Sequence, residues 1–235
     1  MGHTFLRNLL HEPYKFLGKK IFGKANKVVC VSNYEKKLVI KRFGVNEEKT
    51  VVVPNGVDLE EFKGLRKNRK GSRVILHVGR LEKYKGVQYL IAVLPRLHND
   101  IVLEIVGKGP YKKKLARLAR QLGVESRTRF FQDLPRKDLL QKFVDADLFV
   151  LLSRHEAYGI SVGEALASGT PCIVADTSAL SEWVDHENCI GIQYPINLDE
   201  LAILINNVVC KNVEASKLLD WNDVTEKLVN LYKSC

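Results

Sequence analysis

The sequence predicts an α/β protein built on a Rossmann-like, doubly wound parallel sheet. Three observations carry that expectation. From Arg73 onward the chain repeats strand, loop and helix. Its strand segments are near-continuous apolar runs, as expected of strands covered on both faces. The segments between them are long enough to hold helices, so the connections are right-handed crossovers between parallel strands.

The elements follow in order. Residues 4–23 carry apolar pairs at Phe5/Leu6, Leu9/Leu10, Phe16/Leu17 and Ile21/Phe22, with Lys15, Lys19, Lys20 and Lys24 between or beyond them. That is helical spacing, and Pro13 marks the start of a second helix because it cannot sit inside one. Such a helix can lie on anionic lipid or cover a sheet with its lysines in solvent, the commoner arrangement. Lys27–Val31 reads as a strand, Ser32 or Asn33 as the cap of a helix to about Arg42, and Gly44 as its stop. Thr50–Val53 is a second strand, and Pro54-Asn55-Gly56 marks a turn. Lys63–Arg73 reads as an exposed basic loop. Further strands are expected at Val74–Val78, Ile101–Val106, Thr128–Phe131, Leu148–Leu152, Cys172–Ala175 and Cys189–Gln193. Helices are expected near 86–97, 110–122, 136–144, 160–168, 198–209 and 222–233.

Composition sets the bounds. At 235 residues, 46% apolar and 27% charged, the chain suits one large globular domain or one and a half ordinary ones. No apolar run approaches the ~18 residues of a spanning helix, and the start lacks the shape of a signal peptide. Five scattered cysteines without a C-x-x-C pair point to a reducing, cytosolic setting, Cys30 and Cys172 reading as small core residues. The net charge of +10 is uneven: residues 1–73 hold 17 Lys and Arg against 7 Asp and Glu, and the remainder is balanced. A basic first third favours an anionic partner. The absence of zinc spacing and of an aromatic-rich basic sheet argues against nucleic acid. None of the six histidines (3, 11, 77, 98, 155, 186) sits at metal-ligand spacing with another, so no metal site is expected. His77, inside a strand, reads as a satisfied core residue.

The most informative stretch is Ser153-Arg-His-Glu-Ala-Tyr-Gly-Ile-Ser-Val-Gly-Glu-Ala-Leu-Ala-Ser-Gly-Thr-Pro171. It starts where a strand ends, the edge at which open α/β sheets bind ligands. Gly159 opens a short helix, Gly169 supplies a left-handed cap and Pro171 stops it. The N–H groups near Gly159, Ile160 and Ser161 make an anion site, and Glu156 and Glu164 bracket it. An anion flanked by hydroxyl acceptors suits a sugar diphosphate. Two other strand ends are glycine-rich. Gly79-Arg80-Leu81-Glu82-Lys83-Tyr84-Lys85-Gly86 brings a planar guanidinium and a mobile ammonium to the same edge. Gly107-Lys108-Gly109-Pro110 is explained equally well by turn glycines before a helix.

Glu156 and Glu164, seven residues apart in the string Ser-x-x-Glu-x-Tyr-Gly-x-x-x-x-Glu-Ala-x-Ala-x-Gly-x-Pro, resemble the E-x7-E motif of GT-B glycosyltransferases of family 4. The resemblance implies a GT-B carboxy-terminal, donor-binding domain at 59–235, with a remnant of the amino-terminal GT-B domain and the interdomain linker at 1–58. It implies transfer of a sugar from a UDP or GDP sugar, retaining and metal-independent, with no cofactor. Arg80, Lys85 and Glu156 take catalytic roles. Gly79, Gly107, Gly109, Tyr158, Gly159, Ile160, Ser161 and Glu164 line the donor, Glu156 holding sugar hydroxyls and Glu164 the ribose. Two departures stand out: Gln132 lies where the family has glycine near the base, and Thr177-Ser178-Ala179-Leu180-Ser181 replaces its glycine-rich turn. The resemblance further implies that most of the first domain is lacking. A partner subunit supplying the acceptor site, a homo-oligomer, or an anionic membrane meeting residues 4–24 are the partners expected besides the nucleotide sugar, in a cytoplasmic setting. The rival class is a non-catalytic nucleotide-sugar-binding subunit.

Overall fold

The computed structural model describes residues 11–68, 71–209 and 218–234. The pairs at Phe5/Leu6 and Leu9/Leu10, and Cys210 and Cys235, lie outside the described residues. The chain forms two compact units, one of Met1–Gly56 with Trp221–Cys235, the other of Val57–Asp220. The sequence reading carried the second unit to 235, whereas the structure groups the last helix with the first.

In the first unit, α1 (His11–Lys24) holds Pro13 in its first turn, where the missing N–H is not needed. Strands β1 (Val28–Cys30) and β2 (Thr50–Val52) pair in parallel. Between them runs α2 (Asn33–Phe43), capped by the Ser32 hydroxyl accepting from the Glu35 N–H and closed by Gly44 in the left-handed region. Val28, Cys30 and Val45 are buried against Phe22, Val39 and Phe43. On α1, Tyr14, Phe16, Leu17 and Ile21 are exposed. No helix among the described residues is long and apolar enough to cross a membrane.

The second unit is a six-stranded parallel sheet. Its strands are β3 (Arg73–Val78), β4 (Ile101–Val106), β5 (Thr128–Phe131), β6 (Leu148–Leu151), β7 (Cys172–Ala175) and β8 (Cys189–Ile192), in the order β5-β4-β3-β6-β7-β8. Side chains alternate between two cores. Ile75, Leu103, Val150 and Ile173 face α3 (Val87–Val93), α4 (Lys112–Gln121) and α7 (Leu198–Val208). Val74, Leu76, Phe149 and Val174 face α5 (Arg136–Asp145) and α6 (Ile160–Ala167). Double coverage is why the strands read as unbroken apolar runs. One carboxylate interrupts them: Glu104, almost fully buried on β4, is neutralised by Lys142 at 2.8 Å and Arg129 at 3.4 Å. The last helix, α8 (Trp221–Lys233), belongs to the first unit.

Two helices differ from the sequence expectation. The single helix expected over 86–97 ends at Val93 and tightens into a 3-10 turn at Leu94–Arg96, because Pro95 has no N–H to continue the ladder. The helix expected from 110 begins at Lys112, after a turn at Pro110 and Tyr111. The basic loop is partly pinned, with Lys67 on Asp147 at 2.5 Å.

Phe149 is fully buried and its ring lies 5.6 Å from that of Phe143. Phe149→Ala is expected to cost the second unit about 3–5 kcal/mol, whereas Lys67→Ala at the exposed loop costs less than about 1 kcal/mol. Urea unfolding of both variants measures the contrast.

Candidate functional site at the reversal of strand order

From β3 the chain winds outward through β4 and β5, then returns to the other side of β3 and continues through β6, β7 and β8. The connections on either side of β3 and β6 therefore leave the sheet in opposite directions, opening a crevice at the carboxyl ends of these two strands. Arg80 and Lys85 follow β3, and Glu156 follows β6.

Backbone contacts bring these loops together. Gly86 is left-handed at φ 77°, and a methyl group there would collide with the Leu152 carbonyl oxygen. The Arg154 N–H donates to the Tyr84 carbonyl at 2.8 Å. The segment after β3 is thereby laid across the end of β6, and Lys85 Nζ reaches Glu156 Oε1 at 2.5 Å, both side chains mostly buried. On the opposite side of Glu156, its N–H donates to the Ser178 hydroxyl at 3.0 Å. Ser178 adopts φ 56°, in the left-handed region where the sequence departs from a glycine-rich turn. Its hydroxyl is what the serine adds in exchange for that strain.

The other loops are laced in the same manner. Gly107 sits so close to the Gly79 carbonyl that any side chain would clash, the Leu81 N–H donates to the Lys108 carbonyl at 2.7 Å, and Tyr111 N–H donates to the Leu81 carbonyl at 3.0 Å. Here the glycines serve first to press two loops together. A cleft of about 460 Å³ opens beside them, lined by Gly79, Arg80, Gly107, Gly109, Asp133 and Leu134 among others. Asp133, just after Gln132, is held in the left-handed region at φ 57° and pairs with Lys108. Arg80 projects into solvent and rests on Glu82 at 3.1 Å.

Helix α6 begins at Gly159, φ 101°, without a side-chain cap, so its first N–H groups are left for a ligand or water. Ile160 is exposed, whereas Tyr158 packs edge-on against Trp183 at 5.1 Å and accepts from the Trp183 indole N–H at 2.7 Å. Burial raises the Tyr158 phenol. The helix ends at Ser168 with the Gly169 N–H on the Leu166 carbonyl and the Thr170 N–H on the Ala165 carbonyl, a glycine cap of the kind the sequence indicates.

Glu164 is buried to within a tenth of its surface and meets Arg136 of α5. Arg136 also donates to Glu61 Oε2 from Nε at 3.0 Å and Nη2 at 2.6 Å. Sequence reasoning missed Arg136 and Glu61. Nothing in their local sequence separates them from ordinary surface charges, and they stand 75 positions apart. Lys85–Glu156 and Arg136–Glu164 are thus two distinct pairings; of the residues singled out from the sequence, Arg80, Gly79, Gly107 and Gly109 line the cleft instead.

His77 corrects the expectation of a satisfied core histidine. Its Nδ1 lies 3.1 Å from the Val150 carbonyl, but Nε2 is buried without a partner among the described residues. The Nδ1–H donor leaves Nε2 a lone pair facing inward. Burial, with Lys85 nearby, pushes the ring down to about 4. His155 is exposed. Among the described residues no group of three His, Cys, Asp or Glu side chains could share a metal ion.

Residues 58–218 match the family model described as Glycosyl transferases group 1, and residues 2–61 match Glycosyltransferase Family 4. The chain is 30% identical over 232 residues to the glycosyltransferase MJ1607 of Methanocaldococcus jannaschii, covering 88% of this chain and 59% of that protein. It is 37% identical over 209 residues to glycogen synthase of Mycobacterium tuberculosis, covering 83% of this chain and 50% of that enzyme. The chain thus spans about half to three fifths of the length of these curated relatives. Among solved structures, Anabaena Alr3699/HepE in complex with UDP and glucose is similar in fold, with a TM-score of 0.84 and 24% identity over 94% of this chain and 67% of that one.

Because His77 is depressed from its ordinary 6.5 to about 4, the unfolded chain takes up a proton that the folded ring refuses. The associated stability is fully present above pH 6.5 and is lost as pH falls toward 4, by up to about 3 kcal/mol. The urea midpoint of His77→Gln should fall less between pH 7.5 and pH 4.5 than that of the unaltered chain.

Proposed function

The chain belongs to the glycosyl transferases group 1 family, and from that premise we propose that its second unit binds a nucleotide-diphosphate sugar and presents the sugar for transfer to an acceptor. The observation that carries this reading is the Lys85–Glu156 pair, held at the reversal of strand order beside an uncapped helix start. A departing diphosphate accumulates negative charge, and the groups able to meet it are cations and backbone N–H dipoles. Lys85 is already fixed by burial. Arg80, exposed and held among the described residues by Glu82, can swing onto phosphate oxygens with its planar fork. The first turn of α6 adds N–H groups and the positive end of its dipole.

With those groups supplying positive charge, the transfer would need neither metal nor cofactor; retention of the sugar's configuration is proposed from the family resemblance alone. Glu156 Oε2, turned away from the Lys85 contact, would accept from sugar hydroxyls, and Glu164 from the ribose, giving the E-x7-E pattern its purpose. The cleft of about 460 Å³ along Gly79, Gly107, Asp133 and Leu134 is the place for the base, uracil being the first candidate because HepE was solved with UDP. The acceptor site would come from a part of the relatives' length that this chain does not span, or from a partner subunit. A cytosolic location would allow the exposed Tyr14, Phe16, Leu17 and Ile21, beside Lys19, Lys20 and Lys24, to meet an anionic bilayer.

A thermal-shift screen of UDP, GDP and ADP sugars tests the proposal. One of them should raise the melting temperature, with about 2.7 kcal/mol of stabilisation at a hundredfold excess over Kd. Lys85→Ala and Glu156→Ala should each remove most of that gain. Transfer by the 235-residue chain alone should stay low, and should rise once an acceptor domain is supplied. Failure of every nucleotide sugar to stabilise the chain sinks the reading; stabilisation with no turnover under any complementation leaves a binding subunit in its place.

A further inference from the structure

We infer that Arg136 is a positioning residue for nucleotide recognition: its guanidinium, anchored on Glu61, aims the Glu164 carboxylate at the ribose hydroxyls. The inference rests on the reading of Glu164 as a ribose contact and adds the machinery that makes it one. Glu164 stands on α6 with only a tenth of its side chain exposed, and a carboxylate so placed is costly without a compensating donor. Arg136, at the start of α5, donates to its Oε1 through Nη1. The opposite edge of the same guanidinium, Nε and Nη2, grips Glu61 at 3.0 and 2.6 Å.

A planar fork held on both edges has little freedom to rotate, unlike a lysine in the same place. Glu164 Oε1 is thereby fixed, and Oε2 is the oxygen with acceptor capacity to spare. The two carboxylates raise the Arg136 guanidinium further above its ordinary range, and Arg136 lowers Glu61. Glu61 lies in a 3-10 turn just after Asp58, whose side chain accepts from the Glu60 and Glu61 N–H groups, so the anchor is itself held in place.

The chemistry this arrangement recognises is the vicinal diol of a ribonucleotide. The experiment compares UDP, GDP and ADP with their 2′-deoxy forms by calorimetry on the 235-residue chain, using the nucleotide that binds best. The unaltered protein should prefer the ribo form by about tenfold, the ratio one hydrogen bond to a charged group supports. Glu164→Gln should reduce that ratio to about two or less. Arg136→Gln should do the same, and the double variant should go no further. Glu61→Gln and Arg136→Lys, which keep part of the network and guard against a fold lost in Arg136→Gln, should give intermediate ratios. Equal loss of affinity for both forms, with the tenfold preference kept, assigns Arg136 a purely structural role and overturns the inference while donor binding stands. Absence of binding by every nucleotide overturns the proposed function and this inference together. Preference retained in Glu164→Gln removes Glu164 from the ribose, and the inference with it.

Discussion

Everything at the candidate site depends on one backbone contact, the seating of Gly86 on the Leu152 carbonyl. A parallel sheet brings β3 and β6 side by side but says nothing about how far their following loops diverge. Gly86 removes the side chain that would hold them apart, and the Arg154–Tyr84 hydrogen bond closes the gap. Only then can an ammonium and a carboxylate 71 residues apart in sequence share one half-dry space. Burial makes the pair depend on its geometry: breaking it leaves an uncompensated charge, whereas an exposed pair can be lost at little cost. The Gly107–Gly79 approach repeats the device between β4 and β3, so three successive loops become one surface.

That dependence explains which parts of the molecule were legible from its sequence. Strands β4, β5 and β7 follow the expected residues one for one; β4 and β7 do so because a strand covered on both faces needs a near-continuous apolar run, and few sequences supply one by chance. Turn chemistry was equally readable: Gly44 and Gly169 stop their helices as glycine should. Local patterns also placed Arg80, Lys85 and Glu156 at strand ends. They did not disclose that Lys85 would face Glu156 while Arg80 faced Glu82, since side-chain partners are set by loop packing across distant segments. Arg136 and Glu61 were invisible for the same reason. A charge on the first turn of an amphipathic helix looks identical whether it meets water or a buried carboxylate.

His77 shows a second kind of limit. Its neighbours in β3 are apolar, and a buried histidine with one hydrogen bond reads from sequence as complete. Completeness, however, is counted per nitrogen. Nδ1 has the Val150 carbonyl; among the described residues Nε2 has none, and Ser153 Oγ is likewise buried without a partner. Unpaired polar atoms of this kind are expensive in an ordinary core. A third such atom, Gln88 Oε1, lies in the first turn of α3, just after the loop that follows β3, and the grouping of the three fits a region where polar function has been kept at some cost to stability.

The charges around the crevice divide by exposure. Each acid discussed has a cation: Glu156 has Lys85, Glu164 and Glu61 share Arg136, Glu82 has Arg80, and Asp133 has Lys108. On the proposed reading, an incoming diphosphate would draw part of its counter-charge from these existing pairs. Arg80–Glu82 and Lys108–Asp133 are largely in water, so transferring either cation to a phosphate forfeits little. Lys85 and Arg136 hold carboxylates that are mostly buried, and pulling them away would strand a charge. On that reading the exposed pairs would be the ones to open onto phosphate. On the proposed reading the buried pairs would stay closed, Lys85 meeting the diphosphate without leaving Glu156 while the carboxylate oxygens meet hydroxyls.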